Sequence, residues 1–161
     1  VLVPKDRIVG EPGNGWQQVT SELAYERSGP ERFLSSFRVF VELVRICGED
    51  PLPHQAAAIG RIASHFMTLR RMSLSVAGML EAGKDVSVEA ALVKELGNNF
   101  EKLLPEIARL VVPDLSAVDP DKQRLFRETF EETLMLSPSF TLRGGTREIM
   151  RGVIARGLGL R

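Results

Sequence analysis

From Trp16 to the C-terminus, apolar residues recur at intervals of three and four, a period that admits helices and little else. Phe33, Leu34, Phe37, Phe40, Val41 and Val44 form one helical face, which the stretch from Cys47-Gly48 to Pro53 ends. Ile59, Ile62, Ala63, Phe66, Leu69, Met72, Val76, Met79 and Leu80 hold the spacing for roughly six turns, and Ala82-Gly83 closes that helix. Val88, Leu92, Leu96, Phe100, Leu103, Leu104, Ile107 and Val111 make a third. Pro105 inside it predicts a kink, and Pro113 stops it. Asp119 as N-cap and Pro120 at the first helical position open a fourth, with Leu125, Phe126, Phe130 and Leu134 as its buried edge. Ser137-Pro138 is a break. Thr146 then caps a shorter last helix with Ile149, Met150, Val153, Ile154 and Leu158 on one side. The expected fold is all-α: an antiparallel four-helix bundle with a C-terminal helix. Residues 1–3 and 7–9 are short extended candidates before a loop with Gly10, Pro12, Gly13 and Gly15, which reads as a frayed strand pair.

The composition sets the remaining bounds. A chain of 161 residues with 43% apolar residues is one domain and needs no disulfide or metal staple. Its single cysteine, Cys47, has no internal partner. The 21 basic and 21 acidic residues cancel, which argues against nucleic-acid binding. No charge-free run approaches the ~18 residues of a membrane span. The first residues lack the order of a signal peptide, so a cytoplasmic location is expected. They also lack an initiator Met, which is read as a start within a longer protein.

Few residues suggest chemistry unaided. No metal site is expected: His54 and His65 are the only histidines, and neither belongs to a Glu-x-x-His pair. Nucleotide-binding glycine loops and a nucleophile elbow are absent. Arginine outnumbers lysine, 16 to 5. Arg143, Arg147 and Arg151 are spaced by four, which suits either phosphate binding or a solvated edge paired with Glu148. Glu26-Arg27 precedes Ser28-Gly29-Pro30, where the first helix either kinks or ends. A desolvated carboxylate there acts as a general base; an exposed one is merely surface.

Two segments resemble the acyl-CoA dehydrogenase family. Val3-Pro4-Lys5-Asp6-Arg7-Ile8-Val9-Gly10-Glu11-Pro12-Gly13-Asn14-Gly15-Trp16 is similar to the family's last β-domain hairpin and leads into Leu23-Ala24-Tyr25-Glu26-Arg27. Leu142-Arg143-Gly144-Gly145-Thr146-Arg147-Glu148-Ile149-Met150-Arg151 is similar to its final motif. The resemblance covers the whole chain as a C-terminal portion: residues 1–15 as the remnant of the central β-domain, and 16–161 as the helical-bundle domain.

The resemblance implies flavin-dependent α,β-dehydrogenation of an acyl-CoA thioester. Many members place the base just before the Gly-Thr of the last motif, where this chain has Gly144. A minority use a glutamate directly before an arginine on the first helix of the domain, which Glu26 and Arg27 match. Glu26 is then the base and Arg27 a substrate-side arginine. Arg45, Thr146 and Glu148 resemble FAD-contacting positions, with Arg45 reaching a neighbouring subunit. Gln55 resembles the glutamine that opens the next helix. The family's glycines after the third helix are missing from Leu110-Val111-Val112-Pro113-Asp114-Leu115. Implied partners are acyl-CoA, an electron-accepting flavoprotein, and further subunits of a homo- or hetero-oligomer (dimer or tetramer) joined through the bundle. The alternatives are a non-catalytic subunit of a mixed tetramer and a free-standing helical interaction module.

Overall fold

The computed structural model describes residues 1–160. Among the described residues six α-helices follow one another: α1 Gly15–Ser28, α2 Phe37–Cys47, α3 Pro53–Glu81, α4 Ser87–Val111, α5 Pro120–Phe140 and α6 Arg147–Gly157. α4 is central and packs against each of the other five, while α2 also packs on α3 and α5. The bundle is therefore α2–α5, with α1 and α6 laid on α4. The core joins Val39 and Leu43 of α2, Ile62 and Phe66 of α3, Phe100, Leu104 and Ala108 of α4, and Phe126 of α5. Phe66 is its aromatic hub, with ring centroids 5.1 Å from Phe37, 5.5 Å from Phe40 and 4.8 Å from Phe100.

Several helix ends follow the expected chemistry. Asp119 accepts from the N–H groups of Asp121 and Lys122. Gly83 takes φ +71° just past α3. At the other end of α3, buried Gln55 accepts from Leu52 N–H and donates to the Val111 carbonyl that ends α4, at 2.9 Å. Thr146 stands at the N-cap of α6, but its side chain accepts from no main-chain N–H of the first turn.

Three expectations need correcting. No strand forms among the described residues, and one 3-10 turn, Lys5–Arg7, stands where the strand pair was expected. Residues 1–14 are all exposed, and three-residue strands without a sheet bury too little to pair. Second, the face containing Phe33 and Leu34 is not one helix: of the two readings at Ser28-Gly29-Pro30, the helix ends rather than kinks. Gly29 is extended and Pro30 opens a 3-10 turn, Pro30–Arg32, so Phe33 and Leu34 lie outside α2. Third, Pro138 does not break the chain, because α5 runs through it to Phe140.

The two prolines that stay inside helices share a device. A proline deprives the carbonyl four residues earlier of its donor. For Pro138 that carbonyl belongs to Leu134, and Ser137 Oγ donates to it at 3.1 Å. For Pro105 it belongs to Glu101, and Ser36 Oγ donates to it at 3.0 Å from another element. Ser36 is fully buried. Ser36→Ala is expected to lower unfolding free energy by about 1–3 kcal/mol, the cost of a buried acceptor left unpaired. A Pro105→Ala background restores a main-chain N–H that reaches the Glu101 carbonyl, so the same change should cost clearly less there. Urea unfolding of the four proteins measures the difference, and equal costs in both backgrounds would refute the account.

Candidate active site at Glu26 and Gly144

The last turn of α1 meets the α5–α6 link against α4. Gly144 and Gly145 take φ +65° and +103°, where side chains are strained, so the chain turns sharply here. Arg27 Nε donates to the Gly144 carbonyl at 3.1 Å. A Cβ placed on Gly144 would stand 3.3 Å from Glu26 Oε1 and 3.2 Å from Lys94 Cε. The Glu26 carboxylate thus borders the space that a side chain at 144 would enter, although the two residues are over a hundred positions apart.

Glu26 is partly exposed, and its Oε1 accepts from Arg32 Nη2 at 2.7 Å. Arg27 is half-buried; burial pulls its guanidinium below the ordinary arginine range, with Glu26 opposing. Lys94 on α4 is fully buried and its Nζ has no partner among the described residues. Burial lowers its pKa to about 8, Arg32 and Arg27 push the same way, and Glu95 and Glu26 oppose.

Carboxylates of α4 anchor the flanking segments. Fully buried Glu101 accepts from Ser35 N–H at 2.7 Å and from Arg143 Nη2 at 3.1 Å. Burial raises the proton affinity of Glu101, opposed by Ser35, Arg143 and Arg32. Arg143 also lies 4.9 Å over the Phe140 ring. Glu95 accepts from Arg147 and Arg151, each at 3.2 Å. The three evenly spaced arginines therefore do not share one solvated edge. Arg143 precedes α6, and their hydrogen-bond partners are on α4 and at Ser35. Glu148 is exposed beside Thr146; the Thr146 hydroxyl and its own N–H hold it below the usual carboxylate range, helped by Arg151 and Arg147.

Glu26, Arg27 and the Gly144–Thr146 turn therefore come together, and Arg45 does not join them. Arg45 sits in the last turn of α2, exposed and bonded to Glu42 at 2.7 Å. Gln55 ties the neighbouring start of α3 to Val111, and α4 rises roughly 25 Å between Lys94 and Val111. His54 and His65 are exposed, and His65 stacks on Phe100. Among the described residues no three metal-binding side chains gather, and no helix is long and apolar enough to cross a membrane.

No protein-family model matches the chain. Acyl-CoA dehydrogenase FadE29 of Mycobacterium tuberculosis is 28% identical over 96% of the chain and 42% of its own length. Acyl-CoA dehydrogenase IpdE1 of the same organism is 30% identical over 96% of the chain and 40% of its own. Over nearly its whole length the chain is similar to these acyl-CoA dehydrogenases. It spans about two-fifths of the curated relatives it matches. The fold agrees with a structure of the glutaryl-coenzyme A dehydrogenase glutaryl-CoA complex, with TM-score 0.71 and 18% identity over 99% of this chain and 42% of that one.

Sequence reasoning missed Arg32 and Lys94 at this site. A signal for Lys94 existed. Ala90, Lys94, Gly97, Glu101, Leu104 and Ala108 keep one buried helical register, so a lysine fell on a core position. Its unpaired charge has a measurable consequence. Below pH 8 both folded and unfolded chains hold the Lys94 proton, and the folded one carries the buried charge. Between about 8 and the unfolded value of 10.5 only the unfolded chain holds it, so stability attributable to Lys94 rises with pH. The gain relative to Lys94→Met should approach roughly 2–3 kcal/mol from pH 7 to 10.5. Urea unfolding of both proteins across that range tests this; parallel curves would refute it.

Proposed function

We propose that the chain is the C-terminal helical domain of a flavin-dependent acyl-CoA dehydrogenase, with Glu26 as the base that removes the α-proton of an acyl-CoA thioester. One observation carries the reading. The family's common base position is a glycine here, and the Glu26 carboxylate borders the space above that glycine, 3.3 Å from its would-be Cβ. A carboxylate offered from α1 thus takes the place of one offered from residue 144. Arg27 holds the Gly144 carbonyl, which keeps the turn against the base. Residues 1–15 are then the end of a preceding β-domain, and residues 16–161 the bundle that joins subunits.

FAD, when bound, supplies the acceptor for the β-hydride. Thr146 and Glu148 would hold it from this chain, and Arg45 would serve a neighbouring subunit. The start of α6 fits such a group, because no Thr146 side-chain bond caps its first N–H groups. Acyl-CoA is the substrate class, and an electron-accepting flavoprotein is the redox partner. A second reading, a non-catalytic subunit of a mixed tetramer, is favoured by residues 112–115 after α4, which hold no glycine.

In the complete protein, Glu26→Gln should slow reduction of the bound flavin by acyl-CoA about 10²–10⁴-fold. A rate within threefold of wild type would sink the assignment. The 161-residue chain alone should bind FAD weakly or not at all, since a flavin site needs the missing β-domain. Submicromolar affinity in a fluorescence titration would overturn that.

A further inference from the structure

Arg32 lies six residues after Glu26. In an unbroken α-helix that separation puts two side chains about 240° apart around the axis, on different faces. The break at Gly29 and Pro30 removes the constraint. Gly29 turns to ψ 159° and Pro30 opens the 3-10 turn that carries Arg32. Pro30 has no N–H, so the Glu26 carbonyl four residues back loses its helical donor. Arg32 Nε donates to that carbonyl at 2.7 Å, and Nη2 donates to Glu26 Oε1 at 2.7 Å. One rigid guanidinium therefore grips the main chain and the side chain of the same residue.

The grip is internal to the protein. The Arg32 side chain is only 3% exposed, and charge-assisted bonds in such a setting are short and directional. The neighbouring Glu31 stays 3.9 Å from Nη2, outside hydrogen-bond range. Arg27 is engaged with Gly144, and Lys94 and Glu95 face the site from α4. Oε1 of Glu26 is thus occupied, while Oε2 meets no donor among the described residues.

We propose that Arg32 is a positioning residue for Glu26: by fixing Oε1 and the backbone it holds the carboxylate at the edge of the space above Gly144. This rests on Glu26 being the base. The chain breaks at Pro30 in order that a residue six positions on can return to it. Lysine at 32 keeps the charge but lacks the planar fork, so it restores part of the function only.

Two measurements test the role. In the 161-residue chain, NMR should resolve separate, hindered Arg32 guanidinium protons, which Glu26→Gln collapses. A freely rotating, averaged signal in the wild-type chain would overturn the clamp, and this needs no Arg32 variant to fold. In the complete flavoprotein, flavin reduction is followed with butyryl-, isobutyryl-, octanoyl- and palmitoyl-CoA as probes. Arg32→Met should lower the limiting rate about tenfold or more while half-saturation stays within threefold, and Arg32→Lys should recover part of it. Slow reduction in Glu26→Gln beside a wild-type limiting rate in Arg32→Met refutes the positioning role. A wild-type rate in Glu26→Gln, or no reduction by any probe in the wild type, counts against the proposed function instead. The NMR signal then decides the clamp alone.

Discussion

Buried carboxylates on α4 hold the site together. Glu101 is fully buried and Glu95 nearly so, and an acceptor taken out of water must find donors inside the protein. The donors come from sequence-distant segments: Ser35 and Arg143 for Glu101, Arg147 and Arg151 for Glu95. Arg143 and Arg147 flank Gly144 and Thr146. Pinning both arginines to one helix leaves the intervening turn little freedom, and it lies where Arg27 can reach its carbonyl.

Prolines mark the second level of organisation. Pro30, Pro105 and Pro138 each orphan a carbonyl four residues back, and a side chain serves each one: Arg32, Ser36 and Ser137. The consequences differ with the donor. A serine hydroxyl is short and lets the helix continue, as in α4 and α5. An arginine fork reaching back over an extended glycine requires the helix to stop, and the stop delivers charge to Glu26. The same local defect thus serves continuity in two places and a site in the third.

The periodic apolar positions made α3, α4 and α5 legible within a residue or two at most ends, because tertiary packing and local preference agree there. Pro138 was misread, since the rule that proline ends a helix says nothing about a neighbouring hydroxyl. The donor for Pro105 is on another element, beyond any local pattern. The strand pair failed because two three-residue strands without a sheet bury too little to pair. At the site, Glu26 and Gly144 were joined only through family resemblance; periodicity has no means of bringing residues so far apart together. Arg143, Arg147 and Arg151 looked like one edge because helical spacing was assumed to continue across Gly144 and Gly145, whose positive φ values interrupt it.

Lys94 makes plain that stability did not choose every buried residue. Its ammonium lies in the core without a partner, between two arginines that repel it and two carboxylates that attract it. An apolar side chain of similar length would suit the α4 register better, since an unpaired buried charge is costly and a filled apolar site is not. Local rules are broken in this way where a site imposes its own demands. The break falls beside the carboxylate that Gly144 accommodates, on the helix that orders everything else. Glu26 therefore has cations around it: Arg32 on one oxygen, Arg27 one residue on, and Lys94 from α4. A carboxylate gripped by Arg32 and set among further cations is held in one place, and a fixed position is what a base needs before its substrate arrives.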